Sequence, residues 1–198
     1  MNTPDHIKGN VQGARDQGYK GESIAVAVID SGVDTTHKDF QTAPKNPKFS
    51  KEDMEKIISK LGHGRYVSPK FPYVHNMITG DDDQIKENDK ATAPEGEGPH
   101  GQHVAGIIAA DGHSNSDHNE YVVGVAPEAQ LMFLKYFSDD GTTGDVAESI
   151  YDAVNAGADV ISLSLNSAPN VPNMNNADQK AIRYAIDHGV VGCFYLSI

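Results

Sequence analysis

Short apolar runs alternate along this chain with longer segments of helical period. Ile24-Ala25-Val26-Ala27-Val28-Ile29 is continuously apolar and rich in β-branched residues. It is too short for a helix core and predicts a strand buried on both faces. The run stops at Asp30-Ser31-Gly32, a turn signal. Residues 1–22 are polar and scattered with glycine, with a short helix predicted over 11–17. Residues 41–99 read mostly as an insertion. Within it, 50–61 predicts a charged helix opened by Ser50 and Asp53 in a capping-box pattern. The stretch 80–99 reads as an exposed loop, with Asp81, Asp82 and Asp83 at a solvated tip or, alternatively, on a cation.

From residue 100 the period is helical, and Val104, Ile107 and Ile108 share one face. Small residues at Gly101, Ala105, Gly106, Ala109 and Ala110 would let that helix pack closely. Strands are predicted over 121–125, 131–136, 159–165 and 190–196, and helices over 144–156 and 177–188. Strands alternating with helices imply an α/β fold: a parallel sheet flanked by helices on both faces. The length of 198 residues fits one domain.

Composition narrows the function classes. The net charge of −12 argues against binding to nucleic acid or to an anionic membrane. Cys193 is the only cysteine, so no intramolecular disulfide forms. No run approaches the roughly 20 apolar residues of a membrane span. The opening MNTPDHIKGN lacks the basic and apolar regions of a signal peptide. The protein therefore stays inside the cell or begins after its targeting segment, which leaves its localisation unknown.

Two positions carry candidate chemistry. Asp30 directly follows six apolar residues, where a carboxylate is costly to bury without a partner. In open α/β sheets, chemistry gathers beyond the carboxyl ends of strands. A turn aspartate capping the next segment is the alternative. His100 opens the predicted helix 100–110, so its imidazole would sit on a rigid element. Taken alone it reads more readily as a satisfied core or surface histidine.

Together the two segments resemble a known family. Val28-Ile29-Asp30-Ser31-Gly32-Val33-Asp34, then His37, then HGQHVAG at 100–106, is similar to the subtilase family of serine proteases. Val123-Gly124-Val125-Ala126-Pro127 and Asp159-Val160-Ile161-Ser162-Leu163-Ser164-Leu165 look like two further family segments. The long segment between Asp30 and His100, with LGHGRYVSPKFPY, is similar to the lactocepin and streptococcal peptidase group. The similarity covers about residues 12–191.

The resemblance implies a subtilisin-like sheet and peptide-bond hydrolysis through an Asp-His-Ser triad. It assigns Asp30 and His100 as catalytic, and His103 as the second, structural histidine of the motif. It places polypeptide substrate edge-on against Ser164, Leu165 and Asn166 and near Gly141. It makes Asp39 a candidate Ca²⁺ ligand, with the oxygen-rich loop 111–120 nearby. For zinc, His100 and His103 lack a third ligand at a useful spacing. The family's members are secreted or attached to the cell wall.

The sequence also departs from the family. Asn166 stands where the cleft turn is normally a glycine. After Val191 the tail 192–198 diverges about where the oxyanion asparagine belongs, which suggests a shifted reading frame or an artificial end. The G-T-S-M-A-x-P segment that carries the nucleophile is missing, and Ser197 has the wrong context for one. The expectation is a partial catalytic domain, inactive by itself, with a sheet incomplete at its C-terminal side and prone to aggregate. A non-catalytic peptide-binding or pseudogene product is the alternative, and an acidic cation-binding protein a third.

Overall fold

The computed structural model describes residues 11–86, 100–112, 122–138, 141–164 and 176–194. Five parallel strands among these form one sheet: β1 (Ala25–Asp30), β2 (Tyr73–Asn76), β3 (Gln130–Lys135), β4 (Val160–Leu163) and β5 (Val191–Phe194). Their order is β2-β3-β1-β4-β5, so β1 lies in the middle. The helices are α1 (Val11–Asp16), α2 (Lys51–Leu61), α3 (His100–Ala109), α4 (Val146–Ala156) and α5 (Ala177–Asp187).

The period of two along β1 divides its side chains between two layers. Ala25, Ala27 and Ile29 pack with Met132, Leu134 and Ile161 against α2, α4 and α5. Val26 and Val28 pack with Val74, Leu131 and Phe133 against Ala105 and Ala109 of α3. Every residue of β1 and β3 is buried, as continuous apolar runs predict for a doubly covered sheet. The expected α/β architecture, parallel and with helices on both faces, is the one observed.

Capping fixes where the helices start and stop. Ser50 accepts from the Asp53 N–H at the start of α2, and its hydroxyl lies 2.7 Å from the Asp53 carboxylate. Asp145 accepts from the Glu148 N–H at 2.8 Å, and Gly157, at φ 94°, ends α4 in the left-handed region.

Four expectations need correction. The first concerns 121–125, of which residues 122–125 are described. They form no strand beyond an isolated antiparallel bridge between Val123 and Asp111. Instead the N–H groups of Gly124, Val125 and Ala126 donate to the carbonyls of Ala110, Ile107 and Ile108. The free carbonyls at the end of α3 outcompete a sheet for these donors. A Cβ at Gly124 would lie 2.5 Å from the Ala109 nitrogen, so this close approach needs glycine.

Second, the small residues of α3 pack closely as expected, but its apolar face is only partly buried: Val104 and Ile108 are half-buried against the core. Gly101, Ala105 and Ala109 face inward, and Ile107 is 57% exposed. A small-residue face brings the helix axis nearer to the sheet than a branched one would. Third, the segment 41–99 contributes β2, which pairs in register with β3 from Tyr73↔Met132 to Asn76↔Lys135. Its outer side is covered by Arg65, which exchanges two backbone bonds of 2.9 Å with Val74. Fourth, Asp82 is not part of a solvated tip. Its carboxylate accepts from the Asn76 N–H at 2.8 Å and pairs with His75.

A lysine sits inside the same layer. Lys70 is 1% exposed, and its ammonium donates to the carbonyls of Pro127 (2.7 Å) and Ala129 (3.0 Å). Burial pulls its pKa down to about 8, against the opposing pull of Asp111 and Glu128. Between pH 8 and its ordinary value of 10.5, the unfolded chain holds a proton that the folded chain has shed. Stability should therefore rise as pH climbs from about 8 towards 10.5. Urea denaturation of the native chain and of Lys70→Met will show this rise in the first and a flatter profile in the second.

Candidate active site

Asp30 is the last residue of β1, and the alternation that points Val26 and Val28 at α3 points its side chain the same way. It is 1% exposed. Its Oδ1 accepts from the Ser31 N–H at 2.8 Å and from the Ser31 hydroxyl at 3.2 Å. The same oxygen lies 2.7 Å from Nδ1 of His100, the first residue of α3. Facing a carboxylate, which accepts when ionised, a neutral imidazole would donate from Nδ1 and keep the Nε2 lone pair for a proton. Oδ2 of Asp30 has no partner among the described residues. The His100 side chain is 61% exposed, so a buried orienting carboxylate holds an accessible base.

Close approach of α3 to the turn after β1 makes this contact possible. The Gly101 N–H donates to the Ser31 hydroxyl at 3.0 Å. A Cβ on Gly101 would lie 2.4 Å from the Gly32 carbonyl oxygen and 2.9 Å from the Phe133 ring. Gln102 accepts from the Asp34 N–H at 2.7 Å, a second tie between helix and turn. Partial burial opposes the charge on Asp34, but hydrogen bonds from Lys86 and Thr36 outweigh it and hold its pKa at about 2. His103 is exposed and stands outside these contacts.

The remaining predicted site residues fall as follows. Ser164 is exposed, immediately after β4, one strand over from Asp30. Gly141 lies in a turn after β3, on the other side of β1, at φ 83° with its N–H on the Ser138 carbonyl at 2.9 Å. Leu165 and Asn166 lie outside the described residues. Sequence reasoning missed Ser31 and Gln102 as positioning residues, although both stand inside the motifs that pointed to Asp30 and His100.

Asp39 is 3% exposed and far from an ordinary surface aspartate. Its Oδ2 accepts from the Val122 N–H at 3.0 Å, and its carbonyl accepts from the Asp111 N–H at 2.8 Å. Oδ2 of Asp111 accepts from the Thr42 N–H at 2.7 Å. Oδ1 of Asp39 and Oδ1 of Asp111 are both buried without a hydrogen-bond partner among the described residues.

Gly101→Ala tests the close approach. Gly32 meets the new Cβ with backbone, which cannot swing aside, so the overpacking should cost about 1–3 kcal/mol. Chemical denaturation of the variant beside the native chain measures it. A loss of less than about 0.7 kcal/mol would place α3 farther from β1 than described.

Known proteins share parts of this sequence and its fold. The subtilase family model (peptidase S8) matches residues 21–194. The chain is 39% identical over 177 residues to a PI-type proteinase of Lactococcus lactis subsp. cremoris, covering 86% of this chain and 9% of that protein. It is 33% identical over 198 residues to a C5a peptidase of Streptococcus pyogenes serotype M3, covering 96% of this chain and 16% of that protein. Among solved structures, a mutant of the protease domain of PatA aligns with a TM-score of 0.59 at 23% identity, covering 88% of this chain and 50% of that one. The prenylagaramide maturation protease PagA aligns at 0.55 and 20% identity, covering 92% and 49%. These two show the likeness of fold, while the sequence matches carry the relationship: the chain belongs to the subtilase family.

Proposed function

We propose that these residues are the N-terminal part of a subtilisin-like catalytic domain and supply the proton-transferring half of a serine endopeptidase site. The observation that carries this reading is the 2.7 Å contact between the buried Asp30 carboxylate and His100. Asp30 fixes the tautomer, and Nε2 of His100 takes the proton from a serine hydroxyl as that oxygen attacks the scissile carbonyl. The imidazolium, stabilised by Asp30, then returns the proton to the leaving amine. Ser164, Leu165 and Asn166 on one side and Gly141 on the other pair with the extended polypeptide backbone. Nucleophile and oxyanion asparagine come from the family segments that residues 1–198 lack.

In a polypeptide that carries those segments, Asp30→Asn should lower kcat about 10⁴-fold with little change in KM, because the amide favours the wrong tautomer. Steady-state peptide hydrolysis gives both constants. A loss below tenfold would remove Asp30 from the proton relay. Residues 1–198 alone should remain unlabelled by a fluorophosphonate serine probe, and stoichiometric labelling would overturn their assignment as half a site.

Calcium is the cofactor proposed for the family's loop position. The two unpartnered carboxylate oxygens of Asp39 and Asp111 suit a hard cation, which takes oxygen ligands. Both residues would hold Ca²⁺ and join residue 39 to the end of α3. Calcium at about 100 times its Kd should stabilise the chain by about 2.7 kcal/mol, and Asp39→Asn should remove the effect. Thermal melts with Ca²⁺ and with chelator measure it.

A further inference from the structure

A second cluster of ligand-bearing side chains lies away from Asp30 and His100. His63 follows the Gly62 cap of α2, His75 is in β2, and Asp152 is on α4. One candidate ligand atom from each lies within 4.8 Å of the other two. Nε2 of His63 is 2.7 Å from Oδ1 of Asp152, and the two imidazole rings stack with centroids 4.5 Å apart.

Each buried member is held by a further residue. Tyr73 donates its hydroxyl to Oδ2 of Asp152 at 2.7 Å, which leaves Oδ1 as the inward-facing donor atom of that carboxylate. Oδ1 of Asp82 lies 2.8 Å from Nδ1 of His75. That contact leaves Nε2 of His75 for a ligand and reproduces the carboxylate–histidine pairing that orients metal-binding imidazoles. Side-chain exposure is 6% for Asp152, 11% for His75 and 40% for His63. Two positions are thus preset, and the third can move.

We propose that His63, His75 and Asp152 bind one first-row transition-metal ion of the Zn²⁺ type, joining the α2–β2 segment to α4. Two imidazoles with one carboxylate favour such ions over Ca²⁺ or Mg²⁺, which take oxygen. Bonds of about 2.0–2.1 Å require the three atoms to draw inward, and the half-exposed His63 supplies most of that movement. Three protein ligands leave a fourth position for water. The ion replaces a direct His63–Asp152 contact with a bridge that also includes His75.

The test uses the full chain, freed of metal and titrated with Co²⁺ and then Zn²⁺. The expected result is one Co²⁺ per chain with the visible absorption of a four-coordinate nitrogen–oxygen site, displaced by Zn²⁺. His63→Gln and Asp152→Asn should each weaken Zn²⁺ at least tenfold, Asp82→Asn by about 10–100-fold, and His103→Gln not at all. His63 is half-exposed, so circular dichroism should show His63→Gln folded even if a core variant is not. Absence of the Co²⁺ spectrum in the folded native chain would leave only a His63–Asp152 hydrogen bond and overturn the proposal. Unchanged Zn²⁺ affinity in folded His63→Gln would overturn it equally.

Discussion

The contact on which this site depends is a backbone one: α3 meets the turn after β1 at Gly101, with only a hydrogen where other residues carry Cβ. The Gly32 carbonyl occupies the space that a side chain would need. This proximity lets the Ser31 hydroxyl bridge the Gly101 N–H and the Asp30 carboxylate, and it sets His100 within hydrogen-bonding distance of a buried charge. An aspartate this deep requires partners. It finds three donors on Oδ1, two of them from the residue that follows it and the third from the helix.

The sheet supplies the rest of the positioning. Because β1 is central, its carboxyl end is flanked by those of β3 and β4, and the segments after those two strands hold Gly141 and Ser164. Apolar side chains on both faces keep β1 from shifting, since a slip of one residue would send Asp30 toward the α4 layer. A rigid strand end and a closely packed helix start together present a fixed acid–imidazole pair to the surface.

What could be read from sequence was local. The run 24–29, the turn after it and the motif opening at His100 each hold their meaning within a few residues, so β1, α3, Asp30 and His100 were legible. β2 was not. It has only four residues, two of them polar, and His75 and Asn76 are acceptable there because Asp82 and the Gln84 carbonyl receive their hydrogen bonds. Val122–Val125 carried a strand's composition, yet the N–H groups of Gly124 and Val125 serve the end of α3 and that of Val122 the Asp39 carboxylate. The partnership of His63 with Asp152 spans 89 residues and follows no spacing rule, so only the fold brings it together.

The clasp at the far end of α3 has a mechanical meaning. The helix has 10 residues, a strut of about 15 Å. Its first turn is tied to Ser31 and Asp34, and its last to the backbone of residues 124–126. A rod clamped at both ends can neither slide nor pivot without releasing one of them. The imidazole at its tip is therefore aligned partly by hydrogen bonds a full helix length away, beside the carboxylates of Asp39 and Asp111.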